Sequence, residues 1–132
     1  MGVVEDVAAR LRAQVPSRTV YEWAVPDGSL PAAYLLVRGS VSGEDGDRMP
    51  ETVDHERWTV RVLSAARHSD AHVAARTADA GLAFARAALR DYRPLAGAWR
   101  LRYDLGSDAF RDESTSDTTF TAAAQYSLRV NL

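Results

Sequence analysis

The side chains best suited to bind a metal ion are two histidines and an aspartate that lie close together in the sequence. His68, Asp70 and His72 offer imidazole and carboxylate ligands, which transition metals commonly use. Their spacing argues against a preformed metal-binding site. His68 ends a predicted strand, whereas Asp70 and His72 fall in the first turn of a predicted helix, where positions i and i+2 do not face each other. We therefore expect Ser69 or Asp70 to cap the helix, and we assign no metal ligand.

The sequence also contains none of the short motifs that mark common catalytic sites. No serine lies in a Gly-x-Ser-x-Gly elbow, and neither a Gly-x-Gly-x-x-Gly nor a Gly-Lys-Ser phosphate loop occurs. The absence of cysteine excludes disulfides, thiolate zinc sites and cysteine nucleophiles. The acids of residues 44–56 do not follow the spacing of an EF-hand loop. We predict no catalytic residue and no cofactor, and a His/Asp metal-dependent enzyme is the least favoured function.

Charge is distributed unevenly along the chain, although the formal net charge is only -2. Residues 41–56 carry six acids and one arginine, residues 108–118 carry four acids and one arginine, and the remainder is therefore basic (-2 + 5 + 3 = +6). Such asymmetry accompanies charged interfaces and head-to-tail self-association, and it also arises when solvated loops simply collect acids. The candidate interface residues of the two acidic segments are Glu44, Asp45, Asp47, Arg48, Glu51, Asp54 and Glu56, and Asp108, Arg111, Asp112 and Glu113.

The first third of the chain predicts one helix and two strands. Apolar residues at helical spacing predict a helix that reaches Val15 and is stopped by Pro16. Alternating residues from Thr19 to Val25 predict a strand, the turn residues 26–28 close it, and the apolar run 32–37 predicts a second strand covered on both faces. We expect these two strands to form a hairpin. Residues 39–56 are polar and rich in glycine, which predicts an extended hairpin arm or a mobile loop that a partner orders.

The central stretch predicts one strand that leads into one helix. Residues 57–65 alternate with period two, and from Ser69 the small and apolar residues recur at helical spacing as far as a stop at Pro94. Residues 99–105 and 120–130 alternate again and predict two more strands, joined by a second long acidic loop. The alternation places Trp99 and Tyr103 toward the core, so a nucleic-acid stacking surface is not expected.

These elements predict a single α+β domain over residues 1–132. We expect a mostly antiparallel sheet of about five strands, two helices packed on one face, and two long acidic hairpin loops. The N-terminal residues lack a basic, apolar signal segment, and no stretch is long enough to cross a bilayer, so we expect a soluble protein with no membrane partner. The uncovered face of the sheet carries a predicted basic surface of Thr59, Arg61, Arg100, Arg102 and Arg129.

Taken together, the order, length and style of these elements resemble the tail-terminator (tail-completion, or neck) proteins of long-tailed bacteriophages. The likeness covers nearly the whole chain. It is carried by the helix ending at Val15, residues 19–26 (Thr-Val-Tyr-Glu-Trp-Ala-Val-Pro), the acidic segment before residues 57–65 (Arg-Trp-Thr-Val-Arg-Val-Leu-Ser-Ala), the Ala-rich helix to Pro94, residues 98–104 (Ala-Trp-Arg-Leu-Arg-Tyr-Asp), Arg111-Asp112, and residues 126–130 (Tyr-Ser-Leu-Arg-Val).

The resemblance implies a structural virion protein and no enzymatic activity. Members of the family commonly form hexameric rings that cap the head-proximal end of the tail tube and provide the surface on which the head connector docks. The partners implied are further copies of this chain, the major tail tube protein and the connector or stopper protein. Such a protein is made in the cytoplasm of the bacterial host and resides at the head-tail interface of the virion.

For the two acidic segments the resemblance implies two uses. Acids that line the ring lumen would let DNA pass without specific binding, because like charges repel the phosphate backbone. Alternatively, one subunit's acidic segment pairs with the arginine-bearing face of its neighbour. The sequence does not assign either use to either segment. Two other functions remain open, a monomeric protein-binding module and another phage head-tail connector or minor tail protein.

Overall fold

The computed structural model describes residues 2–45, 55–94, 98–111 and 118–131, and for residues 42–45, 55 and 131 it describes the backbone alone. Within these residues the elements in chain order are α1 (Val3–Gln14), β1 (Thr19–Glu22), β2 (Ala33–Asp45), β3 (His55–Arg67), α2 (Ala71–Leu89), β4 (Arg102–Gly106), β5 (Phe110–Arg111) and β6 (Thr119–Asn131). The strands form one sheet in the order β1-β2-β3-β6-β4, and β5 also pairs with β6. The predicted α+β class is confirmed, with six strands where about five were expected.

Both helices pack on the same face of the sheet. The predicted apolar stripe of α1 is buried, and its Val4 packs closely against Gly39 of β2. In α2, Gly81 packs against Ser64 of β3. Gly39 pairs with Val60, and Ser64 lies four residues further along β3, so all these contacts fall on one face. We call this the inner face, and the opposite one the outer face.

The core is built from the alternating inward residues of the three central strands. In β3, Val60 and Val62 are fully buried, and their partners in β6 are Tyr126 and Ala124, which are also buried. The period of two that predicted these strands arises because only one face contacts the helices. The apolar run of β2 is buried on both faces, as predicted, with Val37 facing inward and Leu36 facing outward.

The first two strands do not form the predicted hairpin. β1 pairs with β2 in parallel, with Thr19 opposite Tyr34 and Glu22 opposite Val37. The predicted strand to Val25 ends early because Trp23 adopts a left-handed backbone conformation with φ of 69°. The connection 23–32 then returns to the start of β2, and Arg38 Nε and Arg67 Nη2 donate to the carbonyl oxygens of Trp23 and Leu30 in it.

The polar segment predicted over residues 39–56 forms an antiparallel arm at its base, built from the ends of β2 and β3. β2 and β3 pair as far as Asp45 and His55, with an irregularity between Val41 and Gly43. This agrees with the extended-arm alternative of the sequence prediction. Residues 46–54 lie outside the described part of the chain.

The strand predicted over residues 99–105 begins later and does not alternate as expected. β4 starts at Arg102, and its register with β6 shifts between Tyr103 and Leu105. Trp99 is 52% exposed and Leu105 is 58% exposed, whereas Leu101 is buried as predicted. β4 lies at the end of the main strand order, and an irregularity at such an edge breaks the alternation that a fully paired strand would keep. The prediction that Trp99 points toward the core is therefore wrong.

Candidate assembly surfaces

The outer face of the sheet brings arginines from neighbouring strands side by side. Cross-strand pairing sets Arg38 opposite Arg61, and Arg57 opposite Arg129. Arg102 of β4 lies opposite Ser127 of β6. These positions alternate with the buried inward residues, so their side chains extend away from the helices. The predicted basic face is thus assembled by strand pairing.

Two clefts lie on this face. The larger has a volume of about 570 Å³, and we call it the arginine cleft; it is lined by Arg57, Trp99, Arg100, Arg102, Asp104, Ser127, Leu128 and Arg129. The smaller has a volume of about 350 Å³ and is lined by Arg38, Gly39, Ser40, Thr59, Arg61 and Gln125. Of the predicted basic residues, the fold therefore brings Arg100, Arg102 and Arg129 together, and it places Thr59 and Arg61 in the neighbouring cleft.

The contacts inside the arginine cleft are mostly exposed ion pairs and one aromatic contact. Arg102 Nε lies 3.1 Å from Asp104 Oδ1, and Ser127 Oγ donates to the same carboxylate oxygen at 3.0 Å. Arg100 Nη1 lies 3.3 Å from Asp91 Oδ1. The side chains of Arg100 and Arg102 are 61% and 81% exposed, and exposed pairs of this kind contribute little to stability. These two guanidiniums are accessible to an anionic partner.

Trp99 contributes the aromatic wall of the cleft. The guanidinium carbon of Arg129 lies 5.2 Å from the centroid of the Trp99 ring, within the range of a cation–π contact. The position of Trp99 is fixed by a backbone bond from its N–H to the carbonyl oxygen of Arg129 and by an isolated bridge from Ala98 to Val130. Sequence reasoning missed this wall because the alternation pattern assumed a continuous strand from residue 99.

β4 is held to α2 and β6 by contacts of Tyr103, which the alternation predicted to point toward the core. Arg86 of α2 places its guanidinium carbon 3.9 Å from the centroid of the Tyr103 ring. Tyr103 in turn meets Tyr126 edge to face, with ring centroids 5.6 Å apart. Burial, with a smaller contribution from Tyr103, raises the pKa of Tyr126 to about 12. These contacts fix the edge strand that carries Arg102 and Asp104.

The predicted residues of the two acidic segments that the structure describes lie in two places. Glu44 and Asp45 belong to the end of β2, and Glu56 is half-buried near the start of β3. Asp108 is exposed between β4 and β5, and Arg111 is exposed at the end of β5. The remaining predicted residues, Asp47, Arg48, Glu51, Asp54, Asp112 and Glu113, lie outside the described residues.

The His68–His72 group acts locally, as a helix cap. Asp70 Oδ1 accepts from the backbone N–H of His72 at 2.9 Å, and the N–H of Asp70 donates to His68 Nδ1 at 2.9 Å. This is the arrangement expected of an N-cap, and it selects Asp70 over Ser69. Across the described ranges, no group of three or more His, Asp or Glu side chains is placed to hold a metal ion.

An apolar groove lies on the helical side of the molecule. Phe84 is one of the apolar residues that recur at helical spacing in α2, but it is 47% exposed and lies beside the end of α1. The groove is lined by Gln14, Val15, Pro16, Ser17, Phe84, Ala87 and Ala88. Phe84 lies near the margin of the helical stripe, where spacing alone does not distinguish core from rim.

Comparison with known proteins shows a likeness to a solved structure. Neither a protein-family model nor a curated protein sequence matches the chain. Among solved structures, the chain superposes on a component of the virion of a native gene transfer agent particle with a TM-score of 0.72. The two chains are 21% identical, and the match covers 96% of this chain and 92% of the other. At that identity the likeness shows a shared fold.

No helix within the described residues is long and apolar enough to cross a membrane.

Proposed function

We propose that this chain is a structural subunit of a phage-type virion. Within that class, we propose that it is a tail terminator, which forms a ring, caps the head-proximal end of the tail tube and joins it to the head connector. The observation that carries the proposal is the fold shared with a gene transfer agent virion component over nearly the full length of both chains. The resemblance of the elements to tail-terminator proteins supplies the finer assignment.

Two features of the chain support a role in assembly. The outer face concentrates arginines, while the described acids of the two segments lie elsewhere: Glu44, Asp45 and Glu56 at the paired ends of β2 and β3, and Asp108 between β4 and β5. Heterologous contacts between such surfaces generate a closed ring when the rotation between neighbours closes. A ring of about six subunits fits the family, and its partners would be the tail tube protein and the connector or stopper protein.

We further propose that the ring admits DNA without binding it specifically, and that acids of residues 44–56 contribute to a negatively charged lumen. Like charge keeps the phosphate backbone from adhering to the wall. The protein is then made in the bacterial cytoplasm and functions in the virion at the head-tail interface.

The decisive experiment is to measure whether the protein forms rings and caps tail tubes. Light scattering across a concentration series gives the mass, and negative-stain images show whether a closed ring with a central hole has formed. The second arm mixes the protein with purified tail tubes and scores one tube end for added density. A ring, or a monomer that caps tubes, supports the proposal. A monomer that neither binds nor caps tubes would replace it with the monomeric binding module.

A charge-reversal variant tests the proposed lumen. Reversing Glu44, Asp45 and Asp47 to arginine should disturb ring assembly or DNA passage, because the surface would then attract phosphate or repel its protein partner. Infectivity of particles carrying the variant is the readout, alongside ring formation in vitro. Unchanged assembly together with unchanged infectivity would contradict a role for these acids. If the wild-type protein binds a connector protein but does not cap tail tubes, the alternative function of another head-tail connector protein would be favoured.

A further inference from the structure

We infer that the outer face docks an acidic segment of another protein along the sheet edge formed by β4 and β5, and that carboxylates of this segment sit in the arginine cleft. We call this surface the docking strip; it consists of Trp99, Arg100, Arg102, Leu105 and Phe110. The inference rests on the proposed function for the partner's place in the virion, and it adds the surface and the chemistry that recognise the partner.

The residues of the docking strip share one face of the sheet. Arg102, Leu105 and Phe110 pair with alternate residues of β6, which are Ser127, Gln125 and Thr121. The residues between these in β6 are buried on the inner face, so the strip points outward. The N–H of Trp99 donates to the carbonyl oxygen of Arg129 and extends the strip toward the end of β6. From Thr121 to Arg129 the strip spans about 26 Å, at about 3.3 Å per residue.

The composition of the docking strip is that of a protein interface. Trp99, Leu105 and Phe110 are large apolar residues, and each is more than half exposed. The side chains of Arg100 and Arg102, which lie between them in the sequence, are more exposed still. Aromatic residues and arginine are enriched where proteins bind one another, and they supply much of the binding energy. The strip therefore suits a protein partner.

The contacts within the chain show that these arginines bind carboxylates. Arg102 Nε and Ser127 Oγ both donate to Asp104 Oδ1, and Arg100 Nη1 donates to Asp91 Oδ1. Among the described residues, each of the two guanidiniums uses a single nitrogen in these contacts. A guanidinium carries five N–H donors, and two parallel donors match the two oxygens of a carboxylate. Each arginine can therefore hold a second carboxylate, supplied by a partner.

The charge of the arginine cleft selects an acidic partner. Its lining has four arginines and one carboxylate, which gives a formal charge of 4 - 1 = +3. In the part of the chain that the structure describes, acidic and histidine side chains form no group of three or more that could hold a cation. We therefore assign the complementary acidic surface to a different protein. Contacts between copies in the proposed ring then fall to the smaller cleft, with Arg38 and Arg61.

A nucleic acid fits the docking strip less well than a protein does. The Trp99 ring already contacts the guanidinium of Arg129, whereas the stacking of bases needs an open aromatic face. Asp104 lines the cleft and repels phosphate. The exposed side chains of Leu105 and Phe110 offer no hydrogen bond to a phosphate backbone, but they can pack against apolar residues of a protein.

The test measures the binding of model peptides to the full chain. The probes are a fluorescent peptide with the sequence Glu-Ser-Glu-Ser-Leu-Ser-Leu-Ser and its reverse, because about eight extended residues span the strip and alternate side chains face it. The matched probes carry glutamine in place of glutamate. For one of the two chain directions, we expect the glutamate peptide to bind about tenfold more tightly than its glutamine counterpart, because charged hydrogen bonds to arginine are the stronger ones. Fluorescence anisotropy measures these affinities.

Three variants locate the binding site. R100E/R102E should weaken the binding of the glutamate peptide about tenfold or more, because like charges then meet. L105S/F110S should weaken it about threefold or more, because less apolar surface is buried. R76E/R90E is the matched control, since it changes the net charge equally at two exposed arginines on the helical side, and it should leave binding unchanged. Circular dichroism verifies that each variant is folded.

Several results would overturn the inference. One is peptide binding that R100E/R102E leaves intact or that R76E/R90E weakens equally. Another is an oligothymidylate of the same length that binds the strip more tightly than the peptides, which would assign the strip to a nucleic acid. A third is self-association of the wild-type protein that R100E/R102E abolishes and R76E/R90E does not, because the occupant would then be a second copy.

The peptide assay and the tail-tube assay separate the inference from the proposed function. If the wild-type protein binds the glutamate peptide through the strip but neither assembles nor caps tubes, the docking strip stands and the proposed function fails. If the protein forms rings or caps tubes but binds neither glutamate peptide, the proposed function stands and the inference is wrong.

Discussion

At the scale of single residues, Gly81 sets how closely α2 approaches the sheet. A Cβ atom there would collide with Ser64 Oγ and would lie 2.7 Å from Arg18 Nη1. We predict that Gly81→Ala lowers the free energy of unfolding by about 1–3 kcal/mol, because overpacking shifts the helix or the strand. In an exposed helical position the same change would stabilise the protein by up to about 1 kcal/mol. Chemical denaturation of the wild-type protein and of Gly81→Ala shows whether the substitution lowers or raises the free energy of unfolding.

Two further variants separate steric overlap from helix propensity. Ala83 is exposed in the same helix, and Ala83→Gly should cost about 1 kcal/mol through propensity alone. Ser64→Ala removes the atom that the new methyl group would meet, so it should restore part of the stability of Gly81→Ala. If the two changes were additive, close packing at Gly81 would not be the cause.

The burial of Tyr126 leads us to predict that the protein loses stability at alkaline pH. Its hydroxyl is buried and has no hydrogen-bond partner among the described residues, and its pKa is raised from 10.0 to about 12. Because the pKa of Tyr126 is higher in the folded state than in the unfolded state, its contribution to the free energy of unfolding is complete below pH 10. This contribution is lost as the pH rises toward 12, since the unfolded state loses the proton first. We expect the free energy of unfolding of the wild-type protein to fall by up to about 2 kcal/mol over that interval. Tyr126→Phe should abolish this loss.

The measurement is the pH dependence of urea unfolding for both proteins. At neutral pH Tyr126→Phe should leave stability unchanged or raise it by about 1 kcal/mol, because it removes an unpaired buried hydroxyl. Tyr21→Phe is the matched control, because it removes a hydroxyl from a half-buried tyrosine in another strand. Identical alkaline profiles for wild type and Tyr126→Phe would contradict the assignment.

At the scale of elements, the N-cap of α2 decides where the helix begins after β3. Asp70 accepts from the N–H of His72 and satisfies one of the orphan donors of the first turn. Asp70→Ala should lower the free energy of unfolding by about 1 kcal/mol, whereas Ser69→Ala should change it by less than about 0.5 kcal/mol. Thermal and urea unfolding of the two variants provide the comparison. Equal effects would show that the cap does not depend on Asp70.

At the scale of the whole molecule, the separation of charge predicts a salt dependence of self-association. If arginines and acids join the copies, raising the salt concentration from about 0.05 M to about 0.5 M should weaken association, because screening shortens the range of these contacts. Sedimentation velocity measures the effect. Phe84→Ser in the apolar groove should leave the salt dependence unchanged. Association that strengthens with salt would point to the apolar groove as the interface.

Local patterns in the sequence were sufficient for the elements whose burial is one-sided. The stripe of α1 and the alternation of β3 and β6 were predicted because each packs one face on the core, so the period of the apolar residues reports the structure directly. A cap at Ser69 or Asp70 was also predicted, because it depends on residues within one turn, and the structure selects Asp70. The two acidic segments follow from composition alone.

Tertiary structure decided the features that depend on pairing between distant residues. The parallel pairing of β1 with β2 and the outward position of Trp99 contradict the local pattern, because strand direction and edge irregularities are set by partners far along the chain. The arginine cleft is another case, since it joins Arg57, Arg102 and residues 127–129 from three strands. Local periodicity and composition were enough to assign the fold class and the amounts of charge. Only the sheet register determined which charges share a surface, because register is a long-range property that local periodicity does not encode.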